Sequence, residues 1–538
     1  MSASRPSDFS IFMSRMRRTP WRKAIRQAWR VRGRNDHLLL PERLEGAVYG
    51  HLCGDALGVP YEFKPASAIG EVEWRGQGTH DQPPGTWSDD GALMLALLDS
   101  LLHAGFDTAD QGRRALAWYD EGRYAAGGDI FDIGVATSSA LYALRAGTPA
   151  EAAGEVTAKG NGSLMRILPL PLVFREVEDD ELLDMAVRAS RVTHGSAEAQ
   201  IACALYVLIV QRLLLGEQDR EAVLADARAT LRTWLGDGGL AGSRDAHEPA
   251  AAVSALDAFE AWSDRRGSGR VVDSFWSAWD ALAGADDYEA AVVRAVRYGE
   301  DTDTTAAIAG GLAGVHFGID SIPAAWQRAL RDRPLAQALI DRLVETDVSN
   351  WGGTPWSTSS ADPLPLDLVD LDGTDLGDRG GRAGMSFLPG KRYLGYYNGP
   401  QWRDLDSDLT SLQEAGVNVL LLLVEDHELQ RCHVTDIAEV MSACGIELVR
   451  HPIRDPMTPY EDVAYRRTIA SMADRVRSGA TLAIACRGGL DRAGMTAGCL
   501  LREAGLGAST AIDRVHEARD HTLTMPDQLD YVRGWPHA

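Results

Sequence analysis

Two short acidic clusters, more than two hundred residues apart, carry the oxygen ligands of a candidate metal site. They are Ser88-Asp89-Asp90 and Asp301-Thr302-Asp303-Thr304. Each precedes a run of small and apolar residues that predicts a buried helix, and adjacent carboxylates entering a core need a cation or an ion pair to compensate them. Carboxylate and hydroxyl oxygens suit Mg²⁺, Mn²⁺ or Ca²⁺ rather than soft metals. If the clusters meet in space, they can hold two metal ions.

A second candidate centre lies near the other end of the chain, in Cys486-Arg487-Gly488-Gly489-Leu490-Asp491-Arg492. Cys486 directly follows a predicted strand, and the glycines, with Gly494, allow a tight loop before a helix predicted over 495–503. The N–H groups of such a loop form an anion site, which also favours the thiolate form of a cysteine. Because Arg492 can fold back onto phosphate oxygens, the loop supplies the nucleophile and the clamp of a phosphocysteine mechanism.

Asp455 is the candidate general acid for this second centre. It lies in His451-Pro452-Ile453-Arg454-Asp455-Pro456, a segment that predicts a loop directly after a strand. Its task would be to protonate the leaving alkoxide. The Cys-x5-Arg spacing alone arises by chance, but the preceding strand, the glycines, the following helix and this upstream aspartate together make the pattern specific.

This region resembles the kinase-associated dual-specificity phosphatases and their bacterial relatives, over essentially the whole C-terminal part of the chain. The matching stretches are 385–390, 451–455 and 486–492 with Gly494. The resemblance implies Cys486 as the nucleophile, Arg492 as the phosphate clamp and Asp455 as the general acid, with Gly488 and Gly489 in the phosphate-binding loop. Ala493 stands where a hydroxyl residue is frequent, so a module that binds phosphorylated residues without turnover remains an alternative.

Four further polar segments accompany the acidic clusters in the first part of the chain. They are Gly54-Asp55-Ala56-Leu57-Gly58, Glu62, the loop 160–166 (GNGSLMR) and Thr193-His194-Gly195. Each has an ordinary explanation on its own, because an Asn-Gly pair is more often a turn and a histidine at a helix end is more often a cap. The glycine-bounded loop has the composition to cradle a diphosphate.

Taken together and in this order, the segments resemble the ADP-ribosylglycohydrolase family. The resemblance implies an all-α fold and two divalent cations, usually Mg²⁺ or Mn²⁺, and cleavage of an ADP-ribosyl bond through an oxocarbenium-like state. It implies that Glu62 acts as the base or positions the water. The implied metal ligands are Ser88, Asp89, Asp90, Asp301, Asp303 and Thr304. The implied substrate-binding residues are Asp55, Asn161, Gly162, Ser163, Met165, Arg166 and His194.

Composition limits the remaining possibilities. The 538 residues exceed one ordinary core, and 54 basic against 77 acidic residues give a formal charge of −23, which disfavours non-specific nucleic-acid binding by the whole surface. Six cysteines without a CxxC pair argue against a disulfide framework or a zinc site, so a reducing cytoplasm is the expected location. We expect no membrane span, since no apolar stretch reaches the length of roughly 18 residues that a span requires.

The pattern along the chain predicts a multidomain protein with four segments. They are a basic tail over 1–36, an all-α ADP-ribosylglycohydrolase-like domain over 37–348, a linker over 349–382 and an α/β cysteine-phosphatase domain over 383–538. The tail is either a membrane-surface or nucleic-acid arm or simply disordered. Alternating strands and helices in the last segment predict a parallel or mixed sheet covered on both faces.

The sequence therefore predicts a bifunctional hydrolase. Its expected partners are an ADP-ribosylated protein or nucleic acid for the first domain and a phosphorylated protein or small phosphomonoester for the second. The residue that carries ADP-ribose (arginine, serine or a nucleobase) stays open. A different class of function is also open: the first domain would bind ADP-ribose as a sensor, without turnover, and regulate the phosphatase.

Overall fold

The structure is a computed structural model that describes residues 38–240, 248–347, 354–394 and 399–536. The chain divides into two compact units, Met1–Leu343 and Val344–Ala538. The end of the helical domain predicted from the sequence, at residue 348, stays a prediction. The predicted basic tail over 1–36 lies outside the described residues.

The first unit is helical, as predicted. Its helices are α1 (Leu40–Gly58), α2 (Asp89–Ala104), α3 (Thr108–Glu121), α4 (Val135–Arg145), α5 (Pro169–Val173), α6 (Asp179–Arg191), α7 (Ala197–Leu214), α8 (Arg220–Gly236), α9 (Pro249–Glu260), α10 (Val271–Ala283), α11 (Tyr288–Val296), α12 (Thr302–Phe317), α13 (Ala324–Ala329) and α14 (Arg333–Glu345). Two short strands, β1 (Lys64–Pro65) and β2 (Gly299–Glu300), pair antiparallel.

Helices α1 and α12 cross at van der Waals contact between their backbones. Glycines recur at every fourth position of α1, and therefore on one face: they are Gly46, Gly50, Gly54 and Gly58. A Cβ at any of them would overlap the backbone of α12 or the residues that follow it, and Gly310 and Gly314 of α12 are equally close to α1. This glycine seam brings the end of α1 beside the start of α12, where the second acidic cluster lies.

Helix α7 (Ala197–Leu214) forms the centre of the helical core. Contrary to the expectation from sequence, it is long and apolar enough to cross a membrane, with a mean hydropathy of 1.4 over 18 residues. It is also 89% buried against the rest of the chain, which is the usual condition of a core helix in a large helical domain.

The second unit contains a mixed sheet and helices. Its elements are β3 (Asp367–Leu368), β4 (Arg382–Phe387), β5 (Arg392–Leu394), β6 (Pro400–Trp402), α15 (Leu405–Glu414), β7 (Val419–Leu422), α16 (Asp426–Arg431), α17 (Ile437–Cys444), β8 (Glu447–Arg450), α18 (Asp462–Arg477), β9 (Thr481–Cys486), α19 (Asp491–Glu503), α20 (Ala508–Ala518) and α21 (Pro526–Arg533). Five of the strands form the sheet in the order β3-β4-β9-β7-β8, in which only β3 is antiparallel to its neighbour. Strands β5 and β6 form a separate antiparallel pair.

Both faces of the five-stranded sheet are covered, as the sequence predicts. Leu421 and Ile484 pack into one apolar cluster, whereas their neighbours Leu420 and Ala485 pack into another. Successive side chains of a strand point to opposite faces, so these strands are apolar on both sides. The fold class predicted from the sequence is confirmed for both units.

The predicted linker is largely part of the second unit. Trp356, Leu364 and Leu376 are buried, and β3 extends the sheet by pairing Asp367 with Met385 of β4. Residues 354–382 of the predicted linker over 349–382 thus pack with the second unit, and the predicted domain bounds stay predictions. The composition is dominated by polar and turn-forming residues, and the few apolar residues that anchor the segment do not form a periodic pattern.

Candidate functional site

Asp55 fixes the position of the first acidic cluster. Its carboxylate accepts hydrogen bonds from the backbone N–H of Ser88 (2.9 and 3.1 Å to the two oxygens) and of Gly91 (2.8 Å). It thereby caps the N-terminus of α2, where unpaired N–H groups favour an acceptor. Burial raises the pKa of Asp55 to about 7. These contacts give Asp55 a positioning role, and its predicted contact with substrate stays a prediction.

The two acidic clusters meet in the structure. Asp90 lies in the first turn of α2 and Thr304 in the first turn of α12. One carboxylate oxygen of Asp90 accepts hydrogen bonds from the hydroxyls of Ser88 (3.2 Å) and Thr304 (3.1 Å). Residues that are far apart in the sequence therefore share one buried site.

Oxygen atoms with no hydrogen-bond partner are the feature of this site that fits a cation. Oδ1 of Asp90 and Oδ2 of Asp303 are buried and lack a partner, which is costly for a carboxylate. Glu62, Asp301 and Asp303 offer oxygens within 4.8 Å of one another. Among the residues that the structure describes, no lysine or arginine forms an ion pair with these carboxylates. The donor set is therefore that of a hard divalent cation.

The protonation of the same carboxylates reflects their crowding. Burial, followed by repulsion from neighbouring carboxylates, raises the pKa of Asp89, Asp90 and Asp303 well above the usual range. Burial also raises the pKa of Asp301, and burial together with Asp132 raises the pKa of Glu62 to about 10. A bound cation would oppose these shifts, because it stabilises the ionised forms.

The structure adds two residues that sequence reasoning missed. His80 Nε2 contacts the carboxylate of Glu62, and Asp132 offers an oxygen within 4.8 Å of ligand atoms of both residues. Burial and the charge of Asp301 raise the pKa of Asp132 to about 6. Neither residue belongs to a recognisable motif. The available signal for Asp132 is its place in a loop bounded by Gly128 and Gly134 that carries two aspartates.

Asn161 connects the glycine-bounded loop with the acidic site. Its Nδ2 donates to Asp301 Oδ2 (2.9 Å) and to the hydroxyl of Ser274 (2.9 Å). The next residue, Gly162, lies against the ring of His194, since a Cβ there would come 2.7 Å from Cε1. His194 is buried, and this burial lowers its pKa to about 3. The imidazole is therefore neutral and supports the loop.

The remaining predicted substrate-binding side chains face away from the loop surface. Ser163 accepts a hydrogen bond from Ser190 Oγ (2.9 Å), and Met165 is 3% exposed. Arg166 Nη2 donates to the carbonyl of Ala189 (2.9 Å) and to Thr193 Oγ1 (3.0 Å). These contacts attach the loop to helix α6 and to Thr193 just after it. Contacts of these three side chains with substrate stay predictions.

In the second unit, Cys486 is the last residue of β9 and Arg492 lies in the first turn of α19. This helix starts at Asp491, earlier than the sequence pattern predicts. Arg492 donates to both carboxylate oxygens of Glu428 (2.7 and 2.8 Å) and to the carbonyl of Ile453 (2.7 Å). These bonds use the Nη ends, and Nε is buried without a hydrogen-bond partner. The Nε–H and the second N–H of Nη2 are not used by these bonds, and this edge of the guanidinium has the geometry that binds an oxyanion.

Asp455 lies at the same edge, and its role as the general acid stays a prediction. Its Oδ1 is 3.4 Å from Arg492 Nε, and its Oδ2 accepts a hydrogen bond from Arg487 (2.8 Å). Gly489 has a φ of +68°, and a Cβ there would come within 2.8 Å of the backbone of Ser386 and Phe387. Only glycine fits this part of the loop, which Gly488 precedes directly. Glu428, the partner of Arg492, was not identified from the sequence.

The comparisons with known proteins agree with this geometry. The model of the ADP-ribosylglycohydrolase family matches residues 21–352, and the model described as cyclin-dependent kinase inhibitor 3 (CDKN3) matches residues 383–511. The chain is 30% identical to ADP-ribosylarginine hydrolase Tri1 of Pseudomonas putida, over 57% of this chain and 80% of the relative. It is 28% identical to ADP-ribosyl-[dinitrogen reductase] glycohydrolase of Rhodospirillum rubrum, over 53% and 89%.

Among solved structures, a kinase-associated phosphatase whose catalytic cysteine is replaced by serine matches at 21% identity. The match covers 32% of this chain and 94% of the phosphatase chain, with a TM-score of 0.28. Both resemblances predicted from the sequence are confirmed by the family models. The second unit is a CDKN3-like phosphatase domain, and the chain as a whole, matched over more than half of its length, belongs to the ADP-ribosylglycohydrolase family.

Proposed function

We propose that the first unit hydrolyses the bond between ADP-ribose and a protein side chain in a reaction that depends on two divalent cations, Mg²⁺ or Mn²⁺. The observation that carries this proposal is the meeting of two acidic clusters around carboxylate oxygens that lack a partner. The residues that would hold the cations are Ser88, Asp89, Asp90, Asp301, Asp303 and Thr304. The name of the Pseudomonas putida relative supports arginine as the acceptor.

The residues around the site divide the work of hydrolysis. When bound, the cations would orient the ribose hydroxyls and acidify a water molecule. Glu62 lies within 4.8 Å of oxygens of Asp301 and Asp303, so it is placed to accept a proton from a water held between them. His80 contacts the Glu62 carboxylate, and Asp132 offers an oxygen within 4.8 Å of it. The loop at Asn161 and Gly162 binds the ADP-ribose beside them.

The experiment is the release of free ADP-ribose from arginine- and serine-ADP-ribosylated proteins, with Mg²⁺ or Mn²⁺ and with EDTA. We expect release only with the cation, and its loss in Asp301→Ala. Asp286→Ala, which removes an exposed carboxylate outside the site, is the matched control. Binding of ADP-ribose without any release would favour the sensor instead, and neither binding nor release would contradict both.

A second activity is favoured by the arrangement of Cys486 at the end of β9, Arg492 in the first turn of the next helix, and Asp455 at 3.4 Å from Arg492 Nε. We propose that the second unit hydrolyses phosphomonoesters. The Cys486 thiolate attacks phosphorus, the bond to the leaving oxygen breaks, and Asp455 gives its proton to that oxygen. Water then attacks the phosphocysteine, Asp455 takes its proton, and the P–S bond breaks to restore the thiolate. Arg492 stabilises the charge on the phosphoryl oxygens in both steps.

The test of this second activity is phosphate release from para-nitrophenyl phosphate and from phosphopeptides. We expect turnover that is lost in Cys486→Ser and kept in Cys444→Ser, a partly exposed cysteine elsewhere in the unit. A trapped phosphocysteine without steady-state release would favour the binding module. In that case Ala493→Ser, which supplies a hydroxyl after Arg492, should restore turnover.

A further inference from the structure

Lys391 is a buried lysine that the assignments above do not use. It follows Gly390, whose N–H donates to Asp408 (2.8 Å), and its own carbonyl accepts from the N–H of Arg403 (3.3 Å). The backbone is therefore held on both sides, and the residue is only 4% exposed. A lysine in such a position is rare unless its charge is compensated.

The ammonium group of Lys391 points at the phosphate loop. Nζ lies 4.0 Å from the ring centroid of Phe387 and donates a long hydrogen bond (3.4 Å) to the carbonyl of Arg487, the residue after Cys486. Phe387 is the direct neighbour of Cys486 in the pairing of β4 with β9. Within the described part of the chain, Lys391 has no carboxylate partner, and burial lowers its pKa to about 8.

Most other charges around the loop occur in pairs. Arg487 and Arg492 are positive, and Glu428 and Asp455, which pair with them, are negative when ionised. Asp491, in the loop itself, accepts hydrogen bonds from Thr524. Two arginines that also approach Phe387 carry their own partners, Asp408 and Asp367. Lys391 is therefore a positive charge beside the phosphate site that pairs with no carboxylate of the described residues.

Peptide geometry connects this contact with anion binding. The carbonyl of Arg487 and the N–H of Gly488 belong to one planar, trans peptide unit and point in opposite directions. Because Lys391 binds the Arg487 carbonyl on one side of the loop, it fixes the Gly488 N–H on the opposite side. Loop N–H groups on that side bind an oxyanion.

We propose that Lys391 is a positioning residue of the phosphate loop, which orients the Arg487–Gly488 peptide toward the oxyanion and adds a positive charge beside the site. This inference rests on the phosphatase site proposed above. It is tested with the full-length protein by measuring how tungstate, a phosphate mimic, protects Cys486 from iodoacetamide. The alkylated peptide is quantified by mass spectrometry, so the readout is specific to this site and needs no turnover.

We expect Lys391→Met to require about tenfold more tungstate for half-protection, because a charged hydrogen-bond donor is lost. The melting temperature should be unchanged or higher, because a buried uncompensated charge is removed. Lys391→Gln, which keeps a donor for the carbonyl but removes the charge, should be intermediate, and it also tests the proposal if the methionine variant fails to fold. Arg431→Met, which removes an exposed positive charge near Tyr393, is the control and should behave as wild type.

Three results would overturn the inference: wild-type protection in both Lys391 variants, a melting temperature that falls in parallel with protection, or no protection of the wild type by tungstate. The last of these would also remove the proposed phosphate site. If tungstate protects the wild type and the variants lose protection but no substrate is turned over, the inference stands and the proposed phosphatase activity fails.

Discussion

Replacing Asp303 with asparagine should reverse the order of stability between variant and wild type when the divalent cation is removed. The oxygens of Asp303, Asp301 and Glu62 lie within 4.8 Å of one another. At an effective dielectric constant of about 20, two unit charges at that separation repel each other by about 3.5 kcal/mol. Protons bound to the carboxylates relieve part of this repulsion, so we expect a gain of about 2 kcal/mol in the free energy of unfolding in EDTA.

The cation acts in the opposite direction. At a concentration of about 100 times its dissociation constant, a ligand that binds only the folded state stabilises it by about 2.7 kcal/mol. The wild type gains this amount with Mn²⁺, whereas Asp303→Asn, which lacks one ionised ligand, gains much less. We therefore expect the variant to melt about 4 °C above the wild type in EDTA, and the wild type to melt higher when Mn²⁺ is present.

The assay is thermal unfolding followed by circular dichroism at 222 nm, at pH 8, with EDTA or with Mn²⁺. Asp286→Asn, an exposed change outside the site, should follow the wild type in both conditions. A variant that is less stable than the wild type in EDTA would refute the idea that uncompensated carboxylates strain the cation-free site. A wild type that Mn²⁺ does not stabilise would refute the metal site itself.

Three other changes test separate features. Gly54→Ala places a methyl group against a backbone carbonyl of helix α12, so we expect thermal unfolding to show a loss of about 3 kcal/mol or more in the free energy of unfolding. The control is Gly70→Ala, whose methyl group meets open space and should leave the free energy of unfolding unchanged. Glu428→Gln removes the ionised partner of the Nη groups of buried Arg492 and should destabilise the second unit by about 3–5 kcal/mol in urea denaturation; an unchanged midpoint would contradict the pairing. In EDTA, folded Glu62 keeps its proton up to a pH of about 10, whereas an unfolded glutamate loses it near 4.5. Stability should therefore fall as the pH rises through this window, and Glu62→Gln should make denaturant midpoints at pH 5, 7 and 9 more nearly equal.

The parts of the site that lie in contiguous segments were predictable from the sequence. The two acidic clusters and the cysteine loop each combine several functional residues within a few positions. The remaining members come from separate loops. His80, Asp132 and Glu428 carry no local pattern, and only the tertiary packing brings them beside Glu62 and Arg492.

The direction of side chains was the other limit of sequence reasoning. Arg166 belongs to the loop beside the site, but its guanidinium bonds to Ala189 and Thr193 behind that loop. Asp55 is near the proposed metal ligands, but its carboxylate caps a helix. The sequence pattern predicts which residues lie near a site. Whether a residue binds the ligand or supports one that does depends on its side-chain rotamer, which the pattern does not contain.

The glycine seam between α1 and α12 has a consequence for how this protein can change. Most helix pairs are separated by side chains, so a substitution of different volume shifts their spacing. Here the two backbones touch, with no side chain left to shorten or enlarge. Substitutions elsewhere in the helical core can therefore lower thermal stability long before they alter the distance between Asp55 and Asp303, and the spacing of the acidic site is decoupled from ordinary sequence drift in its surroundings.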